Sequence, residues 1–231
     1  MKVMNSNELY DPEFRKSIKS KKPTVIIPVG SIEQHGAHLP ISTDSDIVTE
    51  IASRLAKKCG FIVFPTISYG VSFEHNPLFN VSVREQYLNR TLGDIIDSLV
   101  HDHQIKKVII LNGHHGNLRA IRNVVTNAKR VSKLSYWHFM KHEFDHAGFV
   151  ETSLMLAISD KVKMKKAKKG LITKGLSEDE VKKIGKLSVE PGGFPKVAKN
   201  GIWGDPTGAT KKDGQKFLAE IVRNLAKECQ S

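Results

Sequence analysis

The segment TVIIPVGSIEQHG, residues 24–36, runs from an apolar, β-branched stretch straight into a carboxylate and an imidazole two residues apart. An apolar run of this length closed by a glycine suits a strand covered on both faces. Such a strand needs helices on either side of its sheet. In extended backbone, Glu33 and His35 point to the same side. Buried carboxylates and imidazoles cost stability unless they are paired. Their position directly behind a buried strand therefore asks for a partner, and a metal ion meets that need.

Outward from this segment the periods alternate. DIVTEIASRLAKKCG (46–60) places Ile47, Ile51 and Leu55 on one helical stripe, with Gly60 to close it. FIVFPTI (61–67) predicts a second strand, and REQYLNRTLGDIIDSLVHDH (84–103) a long amphipathic helix. KKVIILNG (106–113) predicts a third strand, NLRAIRNVVTNAKRV (117–131) a third helix and LSYWHF (134–139) a fourth strand. ETSLMLAIS (151–159) and KKDGQKFLAEIVRNLAKE (211–228) read as helices, while the lysine-rich stretch 160–200 shows no clear period. The alternation predicts one α/β domain spanning 1–231, with a mainly parallel sheet between helices. In such sheets a site forms at the carboxyl ends of the strands, and the polar clusters fall there.

Composition narrows the partners. The net charge is +12, but its lysines gather in runs such as DKVKMKKAKKG without interleaved aromatics, the pattern of a solvated face rather than a nucleic-acid surface. Two distant cysteines, Cys59 and Cys229, imply no disulfide framework and a reducing, cytoplasmic setting. Neither a signal-peptide core nor a membrane-length apolar run occurs, so no membrane partner is expected.

Two further clusters carry chemistry. LNGHHGN (111–117) sets His114 and His115 between glycines after a strand, and FDHAGFVETS (144–153) brings Asp145, His146 and Glu151 to a helix start. Asp44 is either a helix N-cap or a metal ligand, and Glu151 either compensates a helix dipole or reaches back towards His35 and Asp44. Together the clusters point to metal-assisted hydrolysis. Nucleophile-elbow, dinucleotide and P-loop signatures are missing.

PVGSIEQHGAHLPISTD, ILNGHHGN, SYWHF, HAGFVETS and GIWGDPTGAT resemble, in that order, the creatininase (creatinine amidohydrolase) family over roughly residues 20–228. The resemblance implies a three-layer α/β/α sandwich, a dinuclear centre of divalent zinc, manganese or iron, and a homo-oligomer, often a hexamer built from dimers. By position it implies Glu33, His35, Asp44 and His114 as ligands, with Asp44 bridging. It also marks two departures. Gly116 stands where creatininases carry a glutamate ligand, for which Glu151 is the candidate replacement, and EHNPLFNVSV lacks a Pro-Gly-Thr turn.

The resulting expectation is a metal-dependent amidohydrolase acting on a small cyclic amide or formamide. His146 or Glu151 moves the proton, and His38, His115, Trp137 and His138 line the substrate site. The alternative is the formylamino-pyrimidine ribonucleotide deformylase branch, whose phosphorylated substrate would suit a basic chain. A metal or nucleotide binder without catalysis, and a nucleic-acid binder, are the rivals.

Overall fold

The computed structural model describes residues 4–21 and 23–230. Five strands, β1 (Met4–Asn5), β2 (Thr24–Val29), β3 (Ile62–Val63), β4 (Lys107–Asn112) and β5 (Val131–Ser135), form one parallel sheet in the order β1-β3-β2-β4-β5. β2 and β4 are central and almost wholly buried, as their uninterrupted apolar runs require.

Alternate residues of these strands face opposite layers. Ile26, Ile109 and Leu111 pack against α2 (Thr43–Cys59), α5 (Phe149–Ile158) and α8 (Lys211–Gln230). Val25, Ile27, Val29, Val108 and Ile110 pack on the other face, against α1 (Asp11–Lys21) and α3 (Glu85–Asp97). The result is the expected three-layer α/β/α sandwich. The remaining helices are α4 (Leu118–Arg122), α6 (Glu178–Ser188) and α7 (Phe194–Val197). Among the described residues, no helix is long and apolar enough to cross a membrane.

Several elements depart from the sequence pattern. β3 keeps only two residues of the seven expected, because Pro65 cannot donate to a ladder. The helix expected over 117–131 stops at Arg122, where Asn123 and the β-branched Val124, Val125 and Thr126 follow. The strand expected at 134–139 lies earlier, at 131–135, and Tyr136–Phe139 forms a 3-10 turn. α2 begins at Thr43 rather than 46 with Ser42 as its N-cap residue, which leaves Asp44 inside the first turn and free of capping duty. The stretch 160–200 contributes α6 and α7. Gly60 closes α2 in the left-handed conformation, with φ 73°.

The register carries the functional consequence. Val29 of β2 pairs with Asn112 of β4, and Gly113 N–H donates to the Val29 carbonyl at 2.8 Å. The segments after these two strands therefore leave the sheet side by side.

Candidate metal centre

The loop after β2 is tied down by its backbone before its side chains are considered. Glu33 N–H donates to the Ile41 carbonyl at 3.0 Å, and Gln34 N–H to the Phe79 carbonyl at 2.8 Å. Asn117, behind His114, gives its amide to the Gly30 carbonyl and accepts from Val71 N–H, both at 2.9 Å. Three chain segments are thus fixed against one another at the sheet's carboxyl edge.

Into this corner project five buried side chains. Glu33 and His35 are fully buried, and Asp44, His114 and Glu151 nearly so. The two oxygens of Asp44 reach in different directions. Oδ1 lies 3.2 Å from His35 Nε2, and Oδ2 lies 3.0 Å from His114 Nδ1. Glu151 Oε2 stands 3.5 Å from His35 Nε2 and accepts a 2.7 Å hydrogen bond from Ala147 N–H. That bond is set by a tight entry into α5, where Ala147 adopts φ 53°. Asp145 caps the same helix by accepting from Val150 N–H at 3.0 Å.

Sequence reasoning passed over two members of this cluster. His75 Nε2 lies 3.0 Å from Glu33 Oε1, and Glu74 Oε1 lies 3.4 Å from His114 Nε2. Gln34 links the imidazoles. Its two amide hydrogens are satisfied by His75 Nδ1 at 3.0 Å and the Gly201 carbonyl at 3.2 Å. His146 Nε2–H then donates to the Gln34 carbonyl at 3.2 Å, which leaves Nδ1 unprotonated, 3.8 Å from Glu33 Oε1. A Cβ on Gly201 would collide with the Gln34 side chain, so this position needs glycine.

The expected substrate contacts separate. His115 and His146 line a cavity of about 260 Å³, with Phe144, Phe194 and Trp203 among its walls. His38 does not line it. His38 is buried, with Nε2 2.9 Å from the Thr152 hydroxyl. Trp137 belongs to the core, stacked on Phe144 at 4.8 Å, because a buried aromatic fills the layer under α8. His138, beside it, is exposed and lies outside the cavity wall.

Charge and burial compete throughout the cluster. Burial opposes ionisation of Glu33 and Asp44, yet His114 and His75 hold Glu33 below the ordinary carboxylate range, and His35 and His114 hold Asp44 far below it. Burial also opposes protonation of His35, but Asp44, Glu151 and Glu33 push it up to about 10. Burial pushes Glu151 up to about 8, with Asp44 and Asp145 adding to the rise against His35. His146 is held well below its usual value by burial and by His35 and His75.

The donors fit a divalent ion. Glu33, His35 and His146, then Glu33, Glu74 and His114, and then His35, Asp44 and Glu151 each place ligand atoms within 4.8 Å of one another. Neither oxygen of Glu33 accepts a hydrogen bond among the described residues, nor does Asp44 Oδ2. These buried oxygens face imidazole nitrogens, His75 at 3.0 Å and His114 at 3.2 and 3.0 Å, and gain from a cation held between them. The nitrogen and oxygen set suits zinc, manganese or iron(II). His35 and Glu151 carry protons in the metal-free protein at neutral pH, so ion uptake must displace them. Affinity should therefore tighten as pH rises from 6 towards 8. Calorimetry in buffers of different ionisation enthalpy should show net proton release; an affinity flat with pH would contradict this charge assignment.

Comparison with known proteins identifies the family. The Creatininase family model, described as creatinine amidohydrolase, matches residues 7–229. The mycofactocin precursor peptide peptidase of Mycobacterium ulcerans (strain Agy99) is 31% identical over 219 residues, covering 89% of this chain and 84% of that protein. The 2-amino-5-formylamino-6-ribosylaminopyrimidin-4(3H)-one 5'-monophosphate deformylase of Methanosphaera stadtmanae (strain ATCC 43021 / DSM 3091 / JCM 11832 / MCB-3) is 31% identical over 146 residues, 61% of this chain and 62% of that one. A solved structure titled Creatininase Mn superposes with TM-score 0.81 at 25% identity, covering 98% of this chain and 97% of its own. With the family model spanning almost its whole length, the chain belongs to the creatininase family of amidohydrolases.

Proposed function

We propose that this protein is a two-metal amidohydrolase that cleaves the carbon–nitrogen bond of a small amide bearing no strong negative charge. The observation that carries the reading is Asp44, which meets His35 through one oxygen and His114 through the other and lines the cavity. A carboxylate so placed can serve two ions at once. His35, Asp44 and Glu151 would hold one ion; Glu33, Asp44 and His114 would hold the other. Divalent ions at these positions supply Lewis acidity towards a carbonyl and a water.

The chain's own residues do the rest. His146, unprotonated and at the cavity wall, takes the proton from the attacking water and returns it to the leaving nitrogen. Glu151, the other expected proton carrier, faces His35 and is better placed to hold an ion. Phe144, Phe194 and Trp203 exclude bulk water, which strengthens every charge interaction beneath them.

The cavity wall also bears on the substrate. None of the described residues lining it is a lysine or arginine. The net charge of +12 lies elsewhere, so the phosphorylated formylamino-pyrimidine of the deformylase branch finds no cationic partner at the floor. A cyclic amide, a formamide or the terminal unit of a peptide suits this volume better. A homo-oligomer and a cytoplasmic setting belong to the same proposal. The first is supported by exposed Ile41, Phe79 and Val81 beside the Glu33 loop, the second by the unpaired Cys59 and Cys229.

Protein loaded with zinc, manganese or iron(II) should release amine or formate from members of a panel of lactams, formamides and short peptides. Absence of turnover across the panel would overturn the hydrolase reading for these substrates. A preference of kcat/KM above about tenfold for a 5'-phosphorylated formamide over its nucleoside, worth about 1.4 kcal/mol, would instead favour the deformylase.

A further inference from the structure

We propose that Glu74 is a ligand of the ion held by Glu33 and His114, and that Gly116 lacks a side chain in order to admit it. The inference rests on the two-ion reading above and adds a residue to it. Glu74 sits in a single 3-10 turn, Phe73–His75, that closes over His114. Its Oε1 lies 3.4 Å from His114 Nε2, which stands 3.2 Å from Glu33 Oε2 and donates to the Val71 carbonyl at 2.9 Å, so that Nδ1 is the nitrogen left to face an ion. The three donor groups fall within 4.8 Å of one another.

Two independent observations make this more than an acidic cluster. Both oxygens of Glu33, a fully buried residue aimed into this corner, accept no hydrogen bond among the described residues, and the imidazoles of His75 and His114 stand against them, at 3.0 and 3.2 Å. In addition, a Cβ built on Gly116 would fall on the Val71 carbonyl oxygen and on the Glu74 carboxylate. The volume that a side chain at 116 would occupy is therefore filled by a carboxylate arriving from another loop.

Electrostatics favours an ion there. Glu33, Asp44 and Glu74 all approach the single imidazole of His114, at 3.2, 3.0 and 3.4 Å. His35 beside Asp44 and His75 beside Glu33 are the other basic groups here, and three carboxylates converging on one buried ring still repel one another. A divalent cation relieves that repulsion. The turn is also rigidly presented. Val71 N–H is held by Asn117 at 2.9 Å, Ser72 N–H by the Ser82 hydroxyl at 3.0 Å, and the Ser72 hydroxyl contacts that of Ser31 at the end of β2. Ligands fixed by outer contacts in this way lose little freedom on binding.

The test compares Glu74→Gln with wild type after stripping and reloading with Mn²⁺ or Zn²⁺, reading bound metal per chain by mass spectrometry and affinity by calorimetry. Gln keeps the shape of Glu, and the melting temperature of the metal-free protein is the control for folding. Wild type should take up two ions and Glu74→Gln one, with affinity for the second weakened at least about 100-fold and the metal-free melting temperature unchanged. Two ions bound by Glu74→Gln at wild-type affinity would overturn the role of Glu74 and leave the two-ion reading intact. A wild-type protein that takes up a single ion would overturn both.

Discussion

Asp44→Asn should strip both ions from the protein and lower kcat/KM by at least about three orders of magnitude, a loss of ~4 kcal/mol in transition-state stabilisation. The reason is geometric. Asp44 faces His35 through one oxygen and His114 through the other, so no second side chain restores what both ion positions share. An amide in its place offers one weak acceptor and no charge. The metal-free protein should also suffer, because two imidazoles pushed towards protonation by Asp44 lose their closest counter-charge. Removing one partner from a buried ionic contact costs roughly 3–5 kcal/mol. Asp46→Asn, two residues along the same helix, is the control. Asp46 is partly exposed and meets Ser42 and Lys161, so the Asp46→Asn variant should keep both ions and nearly all stability. Metal content, kinetics and melting curves of the two variants decide the matter, and an Asp44→Asn protein holding two ions would refute the bridging role.

Glu151→Gln should behave differently, since it should not weaken the metal-free protein yet should be severe with metal. Burial and the neighbouring Asp44 and Asp145 push Glu151 up to about 8, so at pH 7 the metal-free protein holds it neutral. Glutamine imitates that neutral acid and can still accept from Ala147 N–H. The sign of the pH dependence follows. A carboxyl raised from an unfolded value near 4.5 to about 8 gives its full stabilisation below pH 4.5 and loses it progressively up to pH 8. Glu151→Gln should remove that slope from the metal-free protein, matching wild type below pH 4.5 and melting above it at pH 7. With metal, the ion beside His35 should be lost, along with at least about 10²–10³ in kcat. A variant that keeps the ion would return Glu151 to compensating the helix dipole, a role worth under about 1 kcal/mol.

The sheet could be read from sequence where burial dictates composition. TVIIPV and VIIL are apolar on both faces because both faces are covered, and they appear as β2 and β4 at the centre. At the margins the signal fails. β1 is only two residues long, and its partner β3 is cut short by Pro65. α1 carries a mostly polar surface that no apolar stripe announces. The site divides in the same way. Glu33, His35, Asp44, His114 and Glu151 lie behind strand ends or at helix starts, where a parallel sheet collects its chemistry, and the structure brings them to one corner. Glu74 and His75 lie in an aperiodic loop and meet His114 and Glu33 across some forty residues, which no local spacing encodes. Trp137 and His38 were drawn to the cavity by residue type alone, whereas packing holds them beneath it.

The cavity has two parents in the chain. Its floor comes from the segments behind β2 and β4 and from the start of α5, while Gly185 and Ser188 of α6, Val189 just after it and Phe194 of α7 form its roof. The roof lies in the lysine-rich excursion between α5 and α8 and takes no part in the sheet. Selection can therefore rewrite the ceiling of this protein without disturbing its hearth. A family whose named members take creatinine, a precursor peptide and a formylated pyrimidine is what such a division of inheritance allows.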